Sequence, residues 1–339
     1  MQIAIMGAGS LGTVIGALIS QKYKDTVLID VYQEHVDALN KHGATGVGLY
    51  EFNLPVKACT PDQMEGKYDY VFYLAKATAN DVALNQLLPH LHENSVVCTL
   101  QNGLPEDDVA EIIGRDRTIG GTVGWGASFQ GPGVTKVTTG KDKIKKGAFE
   151  IGELDGKITE RIKQVQEILE CVGHTTIETN LMGARWTKLF VNATFSGMSA
   201  ALGCNYGGVL DNPKALECAA YTANEVIKTA QALGIRMEPW QGIDVTKAAF
   251  NTKEEIPDRY PIIFDIFSPH RQVQASMLND MQRGNFNTEI DGINGKVVLY
   301  GKKAGVDTPF NSKIVEIVKK HQEMKELPTM KNLDLFVLP

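Results

Sequence analysis

Three polar residues recur at helical spacing within an apolar stretch of the chain. Lys188, Asn192 and Ser196 follow one another at intervals of four residues. Each residue turns an α-helix by about 100°, so four residues shift the side chain by only about 40° and the three share one face. Burial lowers the pKa of a lysine toward neutrality, which suits a general acid. The alternative, favoured by spacing alone, is a lysine whose ammonium reaches solvent beside ordinary polar residues.

A second candidate site lies at the N-terminus. Six residues fit the pattern G-x-G-x-x-G: Gly7, Ala8, Gly9, Ser10, Leu11 and Gly12. They follow a predicted buried strand, Gln2–Met6, and open a predicted helix, Leu11–Gln21. In this context the first glycine permits a tight turn, the second lets a pyrophosphate approach the backbone, and the third lets the helix pack closely on the strand. The helix N-terminus adds N–H donors, so a dinucleotide site is predicted rather than a glycine-rich turn without a ligand.

An acidic residue ends the second predicted strand, Thr26–Asp30. Asp30 lies 18 residues after Gly12, where a dinucleotide-binding domain places the acid that binds the adenosine ribose hydroxyls. A carboxylate there repels a 2′-phosphate, and the next four residues contain no lysine or arginine. NAD is therefore predicted over NADP, although NADP stays possible. The alternative is an aspartate that only caps the next turn.

The composition excludes several classes of partner. The chain has 339 residues, enough for about two domains with buried cores. Its 34 basic and 40 acidic residues give a net charge of −6, which argues against nucleic acid and anionic membranes. No apolar run reaches the roughly 20 residues of a bilayer span, and no signal peptide is expected. The five scattered cysteines predict reduced thiols in a cytoplasmic protein, with no metal site.

Strands and helices alternate in the first half of the chain, which predicts an α/β Rossmann-like doubly wound sheet over residues 1–179. Further expected elements there are strands at Tyr70–Ala75 and Ser95–Leu100, helices at Val36–Lys41, Asp81–Leu91 and Lys157–Val172, a β excursion ending at Cys59, and turn-linked strands within Thr118–Ile151. Period-3.6 patterns then predict a mostly α-helical domain over residues 180–339. Its expected helices are Leu181–Leu202, Lys214–Leu233, Pro269–Gln282, Glu289–Ala304 and Ser312–Lys325. Pro239–Pro269 has no assignment.

The ordered motifs resemble the ketopantoate reductase (2-dehydropantoate 2-reductase) family over nearly the whole chain. Besides the glycine loop, the motifs are Leu74-Ala75-Lys76, Gln101-Asn102-Gly103, and residues 186–192, 276–280, 288–295 and 304–311. The resemblance implies that Lys188 protonates the ketone oxygen as nicotinamide hydride reaches the carbonyl carbon, and that Glu289 orients this lysine and the substrate. It further implies that Lys76 and Asn102 lie where cofactor and substrate meet, and that Asn192 and Ser276 bind substrate. Ser196, on the same helix face as Asn192, is expected to bind substrate as well.

The resemblance also carries expectations for the assembly. It implies a site in the cleft between the two domains, a small 2-keto acid as substrate, and a homodimer formed through the helical domain. Without the family pattern, Glu289 and Ser276 would be interpreted as helix-capping residues. Three features depart from the pattern: Asp30 stands where NADP-using members tend to place a basic residue, Ser196 replaces a second asparagine, and the segments Pro239–Pro269 and Arg283–Asn287 are longer.

The sequence leaves three candidate functions open, two of them enzymatic and one not. The leading one is NAD(P)-dependent reduction of ketopantoate to pantoate. The second is an NAD-dependent D-2-hydroxyacid dehydrogenase of the same fold, acting on other branched or aromatic 2-keto acids. The third is a nucleotide-sensing protein without activity. Because a sensor needs neither Lys188 nor Glu289, the presence of both counts against the third.

Overall fold

Strand β1 (Ile3–Met6) is an interior strand of an eight-stranded sheet, and both of its faces are covered. Ile3 and Ile5 belong to one hydrophobic cluster, whereas Ala4 and Met6 belong to another. Successive side chains of a strand alternate between the two faces, so burial on both faces requires an unbroken apolar run. The sheet and its two covered faces confirm the predicted doubly wound architecture.

The computed structural model describes every residue from Met1 to Pro339 and divides the chain into two units, Met1–Leu181 and Met182–Pro339. The first unit contains twelve strands: β1, β2 (Thr26–Ile29), β3 (Ala44–Gly48), β4 (Phe52–Leu54), β5 (Lys57–Cys59), β6 (Tyr68–Tyr73), β7 (Leu91–Thr99), β8 (Thr118–Val123), β9 (Ala127–Gly131), β10 (Val134–Val137), β11 (Phe149–Glu153) and β12 (Thr175–Ile177). Its helices are α1 (Ser10–Lys22), α2 (Gln33–His42), α3 (Asn80–Leu87), α4 (Glu106–Ile113), α5 (Lys141–Lys146) and α6 (Glu160–Leu169).

The large sheet has the strand order β12-β11-β8-β7-β6-β1-β2-β5. All neighbouring strands are parallel except β8 and β11. Met6 at the end of β1 pairs with Ile29 of β2 on one side and with Tyr73 of β6 on the other. The chain runs from β1 outward to β5 and returns to the opposite side of β1 at β6. The carboxyl ends of β1 and β6 therefore form a topological switch point, where doubly wound sheets bind ligands.

A second sheet of four strands has the order β4-β3-β10-β9. It accounts for part of the β excursion before Cys59 and for part of the strands within Thr118–Ile151. The tight turn predicted there joins β9 to β10 around Gly131 and Gly133, both of which have positive φ. Helices α4 and α5 were not predicted, because each is shorter than the window over which helical periodicity is visible.

The second unit is mostly helical, as predicted. Its helices are α7 (Leu181–Val191), α8 (Gly197–Leu202), α9 (Tyr206–Leu210), α10 (Pro213–Ala232), α11 (Tyr260–Phe267), α12 (Ser276–Gln282), α13 (Asn294–Ala304) and α14 (Pro309–Met324). Standard signals set their ends. The Asn212 side chain accepts the N–H of Ala215 at the start of α10, with proline at the first helical position. Helix α13 ends at Gly305 in the left-handed conformation.

Several predicted helices are shorter or interrupted. The Asp81–Leu91 helix ends at Leu87, before a 3-10 turn that contains Pro89, because a proline has no N–H to donate to the carbonyl four residues earlier. The Lys157–Val172 helix covers only Glu160–Leu169. Pro269–Gln282 divides into a 3-10 turn at Ser268–His270 and α12, which starts after the extended residue Ala275.

The helix predicted at Glu289–Ala304 is also divided. A 3-10 turn at Ile290–Gly292 precedes α13, and Ile293 between them has φ −110° and ψ −94°, outside the helical region. The unassigned stretch Pro239–Pro269 consists of 3-10 turns followed by α11. None of the helices combines the length and hydropathy that a membrane span needs.

Candidate functional site

The glycine loop joins β1 to α1, and two of its three glycines are required by the fold. Gly7 has φ +95°, and a Cβ on it would lie 2.4 Å from the backbone nitrogen of Ala75. A Cβ on Gly12 would lie 2.2 Å from the carbonyl oxygen of Gly7. Any larger side chain at either position would collide with backbone atoms. These two glycines therefore allow the turn and the close helix–strand packing.

Gly9 differs from the other two glycines. A Cβ built on it would meet no atom within 4 Å, and its φ of −62° is open to every residue type. The fold itself thus gives no reason for glycine here. Gly9 is also the residue that precedes α1, whose first turn has no capping side chain and no acidic residue. Open space beside the backbone, at an uncapped helix start, is what a pyrophosphate needs, so the loop fits a dinucleotide.

A buried histidine supports this loop from the protein side. His35 on α2 is 1% exposed. Its Nδ1 accepts the backbone N–H of Gly133 at 2.9 Å, and its Nε2 lies 2.8 Å from the carbonyl oxygen of Ala8. The hydroxyl of Thr13 donates to the same oxygen at 2.6 Å. Sequence reasoning missed His35, although its place on the apolar face of α2 beside Val36 marks it as buried.

The segment after β2 carries two carboxylates. Oδ1 of Asp30 accepts the backbone N–H of Tyr32 at 3.0 Å, so Asp30 does cap the following turn. This contact occupies one carboxylate oxygen and orients the group at the carboxyl end of β2. Glu34 accepts the Tyr32 hydroxyl at 2.7 Å. Both the turn-capping and the ribose-binding interpretations of Asp30 are therefore compatible with its geometry.

Buried amides hold the ends of β6 and β7. Nε2 of Gln101 donates to the carbonyl oxygen of Ala75 at 2.6 Å and to Oδ1 of Asn80 at 2.8 Å. Lys76 follows Ala75 and Asn102 follows Gln101, so this pair of bonds fixes the backbone next to both candidate residues. The side chains of Lys76 and Asn102 are exposed. In the first unit the structure thus places the glycine loop, Asp30, Lys76 and Asn102 at the carboxyl ends of neighbouring strands.

In the second unit, the helix predicted at Leu181–Leu202 contains a π turn at Asn192–Ser196 between α7 and α8. Lys188 lies on α7, Asn192 begins the π turn and Ser196 ends it. Lys188 and Asn192 are half-buried, whereas most of their apolar neighbours, such as Leu189 and Ala193, are buried. The regular 3.6 spacing therefore holds from Lys188 to Asn192 and changes after it, because a π turn closes over five residues instead of four.

Ser196 makes a contact that its spacing did not indicate. Its hydroxyl lies 2.6 Å from the hydroxyl of Tyr206 on α9. Tyr206 packs edge-on against Phe195 and Phe267, whose rings stack with centroids 3.8 Å apart. Burial raises the pKa of Tyr206, and the Ser196 hydroxyl opposes that shift. Ser196 is consequently part of a buried aromatic cluster, and Tyr206 is a residue that sequence reasoning missed.

Ser276 and Glu289 lie on separate segments. Ser276 is the exposed first residue of α12, and Glu289 directly precedes the 3-10 turn at Ile290–Gly292. Ala275 is the N-cap residue of α12, and Glu289 is the N-cap residue of the 3-10 turn without a side-chain capping hydrogen bond. The capping role considered for Glu289 is therefore not observed, and Ser276 does not occupy the N-cap position.

Two family models match the chain. The model described as ketopantoate reductase PanE/ApbA matches residues 3–151, and the one described as its C terminal matches residues 180–322. The 2-dehydropantoate 2-reductase of Pyrococcus horikoshii is 30% identical over 327 residues, which are 96% of this chain and 98% of the relative. The 2-dehydropantoate 2-reductase of Lactococcus lactis is 27% identical over 330 residues, with 96% and 99% coverage.

Solved structures share the fold. A ternary structure of D-mandelate dehydrogenase with NADH and anilino(oxo)acetate has a TM-score of 0.80 at 24% identity, covering 96% of this chain and 99% of that one. A PanE/ApbA family ketopantoate reductase from Ralstonia eutropha has a TM-score of 0.80 at 22% identity, with the same coverage. The expected family and its oxidoreductase class are confirmed. Because both halves of the chain match one family, in order and over most of their length, the chain belongs to the ketopantoate reductase PanE/ApbA family.

Proposed function

We propose that this chain is a 2-dehydropantoate 2-reductase, which reduces the ketone of ketopantoate to the hydroxyl of pantoate. The observation that carries the proposal is that Lys188, a half-buried lysine, lies four residues before the half-buried Asn192 on a largely buried helix. Relatives named for this reaction match 96% of the chain. An alkoxide forms when hydride adds to a ketone, and a positioned ammonium can neutralise it by donating a proton.

The residues of the first unit would hold the cofactor. The N–H groups that follow Gly9 at the start of α1 would bind the pyrophosphate, and the second carboxylate oxygen of Asp30 would accept from the adenosine ribose. When bound, a nicotinamide dinucleotide supplies the hydride. Asp30 and Glu34 both disfavour a 2′-phosphate, so we propose NADH as the preferred cofactor, with NADPH as the weaker one.

The residues of the second unit would bind and protonate the keto acid. Lys188 donates the proton to the ketone oxygen, and Glu289 orients Lys188 and the substrate. Asn192, Ser276 and Ser196 bind the substrate. Lys76 and Asn102 of the first unit act where the cofactor and the substrate meet. Each of these roles is inferred from the family resemblance.

The test is a substrate panel with the purified protein. Oxidation of NADH and NADPH is followed by absorbance with ketopantoate, 2-ketoisovalerate and the aromatic keto acid phenylglyoxylate. We expect the highest kcat/KM with ketopantoate. Folded protein that reduces none of the three acids with either cofactor would rule out the proposal and leave the nucleotide-sensing alternative.

The second candidate is a D-2-hydroxyacid dehydrogenase for other branched or aromatic 2-keto acids. One observation favours it: the Ser196 hydroxyl is bonded to Tyr206 instead of standing alone on its helix face. A hydroxyl engaged in this way is less able to select a hydroxylated substrate. In the panel, a higher kcat/KM for 2-ketoisovalerate or phenylglyoxylate than for ketopantoate would establish this alternative.

Two further expectations concern the cellular context. We propose a homodimer formed through the helical unit, which sedimentation velocity of the purified protein can test. The five cysteines form no disulfide, which agrees with a reducing compartment. We propose that this compartment is the cytoplasm.

A further inference from the structure

A buried asparagine contacts the π turn. Asn294, the first residue of α13, is fully buried. Its Nδ2 donates to the carbonyl oxygen of Ala193 at 2.9 Å, inside the π turn, and to Oδ1 of Asn311 at 2.9 Å. Gly197, directly after the π turn, leaves room for this amide, because a Cβ there would lie 2.5 Å from Oδ1 of Asn294.

The Ala193 carbonyl is displaced from regular helix geometry. In an α-helix the N–H of Gly197 would donate to Ala193, four residues earlier. Here that N–H donates instead to the carbonyls of Asn192 and Thr194. The Asn294 amide supplies a donor to Ala193 in its place. A side-chain donor that satisfies the displaced carbonyl lowers the free energy of the π register relative to the α register.

A second asparagine and a glutamate orient this amide. Nδ2 of Asn311 donates to the Glu225 carboxylate at 2.7 Å, which turns Oδ1 of Asn311 toward Asn294. Glu225 also accepts the backbone N–H groups of Phe310 and Asn311, at 2.8 and 2.9 Å. These contacts fix each amide in one orientation, since reversing either would place two donors or two acceptors together.

Asn294 therefore connects two segments that carry proposed site residues. It lies five residues after Glu289, and it binds the turn that begins with Asn192 and ends with Ser196. We propose that Asn294, oriented by Asn311 and Glu225, is a positioning residue that holds the π turn and so places Asn192 relative to Glu289. The inference rests on the proposed function, since it assigns Asn192 and Glu289 to the substrate.

The main test is the Asn294→Ala variant, with Asn332→Ala as a matched control. Nδ2 of Asn332 also donates to a carbonyl of the same continuous helix, that of Ala201 at 2.8 Å, but beyond the π turn. Both variants lose an amide-to-carbonyl bond. We expect Asn294→Ala to raise the KM for the keto acid at least tenfold with an unchanged KM for NADH, because a misplaced binding group weakens substrate binding alone. Asn332→Ala should leave both constants unchanged.

A second variant approaches the contact from the other side. Gly197→Ala places a methyl group against the Asn294 amide and should raise the same KM. Adding Asn294→Ala to Gly197→Ala removes the collision. The KM of the double variant for the keto acid should therefore rise by less than the product of the two single-variant increases. The Gly197→Ala single variant still tests the contact if Asn294→Ala does not fold, because an unchanged KM for the keto acid would then contradict the positioning role.

A crystal structure of Asn294→Ala separates this inference from the proposed function, because it needs no activity. We expect the Gly197 N–H to return to the Ala193 carbonyl in an α register. An unchanged π turn, or a keto acid KM equal to that of Asn332→Ala, would overturn the positioning role. If the wild type prefers another keto acid, the same variants are compared with that acid. In that case only the proposed substrate is wrong, and the positioning role of Asn294 is still tested.

Discussion

The backbone N–H of Gly133 donates to Nδ1 of His35 at 2.9 Å. Because Nδ1 accepts, the imidazole proton lies on Nε2, which is 2.8 Å from the carbonyl oxygen of Ala8. His35 thereby connects the turn between β9 and β10 to the glycine loop. The carbonyl of Ala8 points toward His35 and Thr13, which leaves the opposite side of the loop for the cofactor that we propose.

This relationship predicts a cofactor-specific defect in His35→Ala. Loss of the ring removes one hydrogen bond to the loop and leaves a small cavity, so the loop should become less ordered. We expect the KM for NADH to rise roughly tenfold, about 1.4 kcal/mol, with little change in the KM for the keto acid. His90→Ala is the control, since its half-buried ring contacts the carbonyl oxygen of Gly66 in the same unit, away from the glycine loop. Equal NADH constants in the two variants would contradict a loop-supporting role.

The second prediction is a preference for NADH over NADPH. Asp30 and Glu34 flank the exposed turn after β2, and a 2′-phosphate there would meet like charge. Such repulsion should lower kcat/KM for NADPH by roughly ten- to a hundredfold, about 1–3 kcal/mol. Asp30→Arg should reduce the difference between the kcat/KM values for NADH and NADPH, and Glu34→Gln should reduce this difference less.

Asp37→Asn is the matched control for cofactor preference, because Asp37 is an exposed carboxylate further along α2 that binds Gln33. It should leave the ratio of the two kcat/KM values unchanged. A wild-type protein that prefers NADPH would show that the acids do not face the 2′ position.

The doubly wound sheet was predictable because its determinants are local. Buried parallel strands need continuous apolar runs, and Ile3–Met6 and Tyr68–Tyr73 provide them. Gly7 and Gly12 are required by contacts within the β1–α1 turn and with the next strand of the sheet, and they recur as a motif. Short helices such as Lys141–Lys146 escaped detection because one and a half turns show no period.

The polar contacts of the second unit were not predictable in the same way. The contact between Ser196 and Tyr206 depends on how the chain reverses after Gly203, which has φ +63°. The π turn depends on Asn294, about a hundred residues later in the chain. Hydrophobic periodicity reports which face of a helix is buried, but it does not report which distant side chain satisfies a displaced carbonyl.

The third prediction concerns proton donation. Lys188→Ala should lower kcat by roughly 10²–10⁴-fold, the usual range for a general acid, while the dissociation constant for NADH changes little. Glu289→Gln should raise the KM for the keto acid through the loss of a charged partner. Lys313→Ala is the control, because this lysine contacts Glu316 on the surface of the same unit. Near-normal kcat in Lys188→Ala would assign the proton to another donor, such as Lys76.

The fourth prediction concerns substrate choice. The hydroxyls of Ser196 and Tyr206 satisfy each other at 2.6 Å, so selection for the terminal hydroxyl of ketopantoate should be weak. We expect kcat/KM for ketopantoate and 2-ketoisovalerate to lie within about tenfold of each other in the wild type. Tyr206→Phe releases the Ser196 hydroxyl, and Ser196→Asn introduces an amide, so both should favour ketopantoate.

Ser199→Ala is the control for substrate choice. The Ser199 hydroxyl lies on the same helix, but it donates to the backbone carbonyl oxygen of Cys204 at 2.5 Å and accepts the backbone N–H of Ala275 at 3.1 Å, and neither bond involves Tyr206. Its loss should not change the ratio of the two kcat/KM values. Strong selectivity for ketopantoate in the wild type, unchanged by Tyr206→Phe and Ser196→Asn, would show that this pair does not set the preference.

The last prediction concerns stability against pH. Burial raises the pKa of Glu225 from its usual 4.5 to about 7, although three N–H donors from Phe310 and Asn311 oppose the shift. Between these two pH values the folded chain keeps the Glu225 proton and the unfolded chain has lost it. The free energy of unfolding should therefore fall as pH rises from about 4.5 to 7, by about 3 kcal/mol, and then level off. Glu225→Gln cannot ionise, so its unfolding free energy should lack this fall, whereas Glu316→Gln, at an exposed site on α14, should follow the wild type. Urea unfolding of the three proteins between pH 4.5 and 8 measures the difference, and parallel curves for wild type and Glu225→Gln would mean that Glu225 does not titrate in this range.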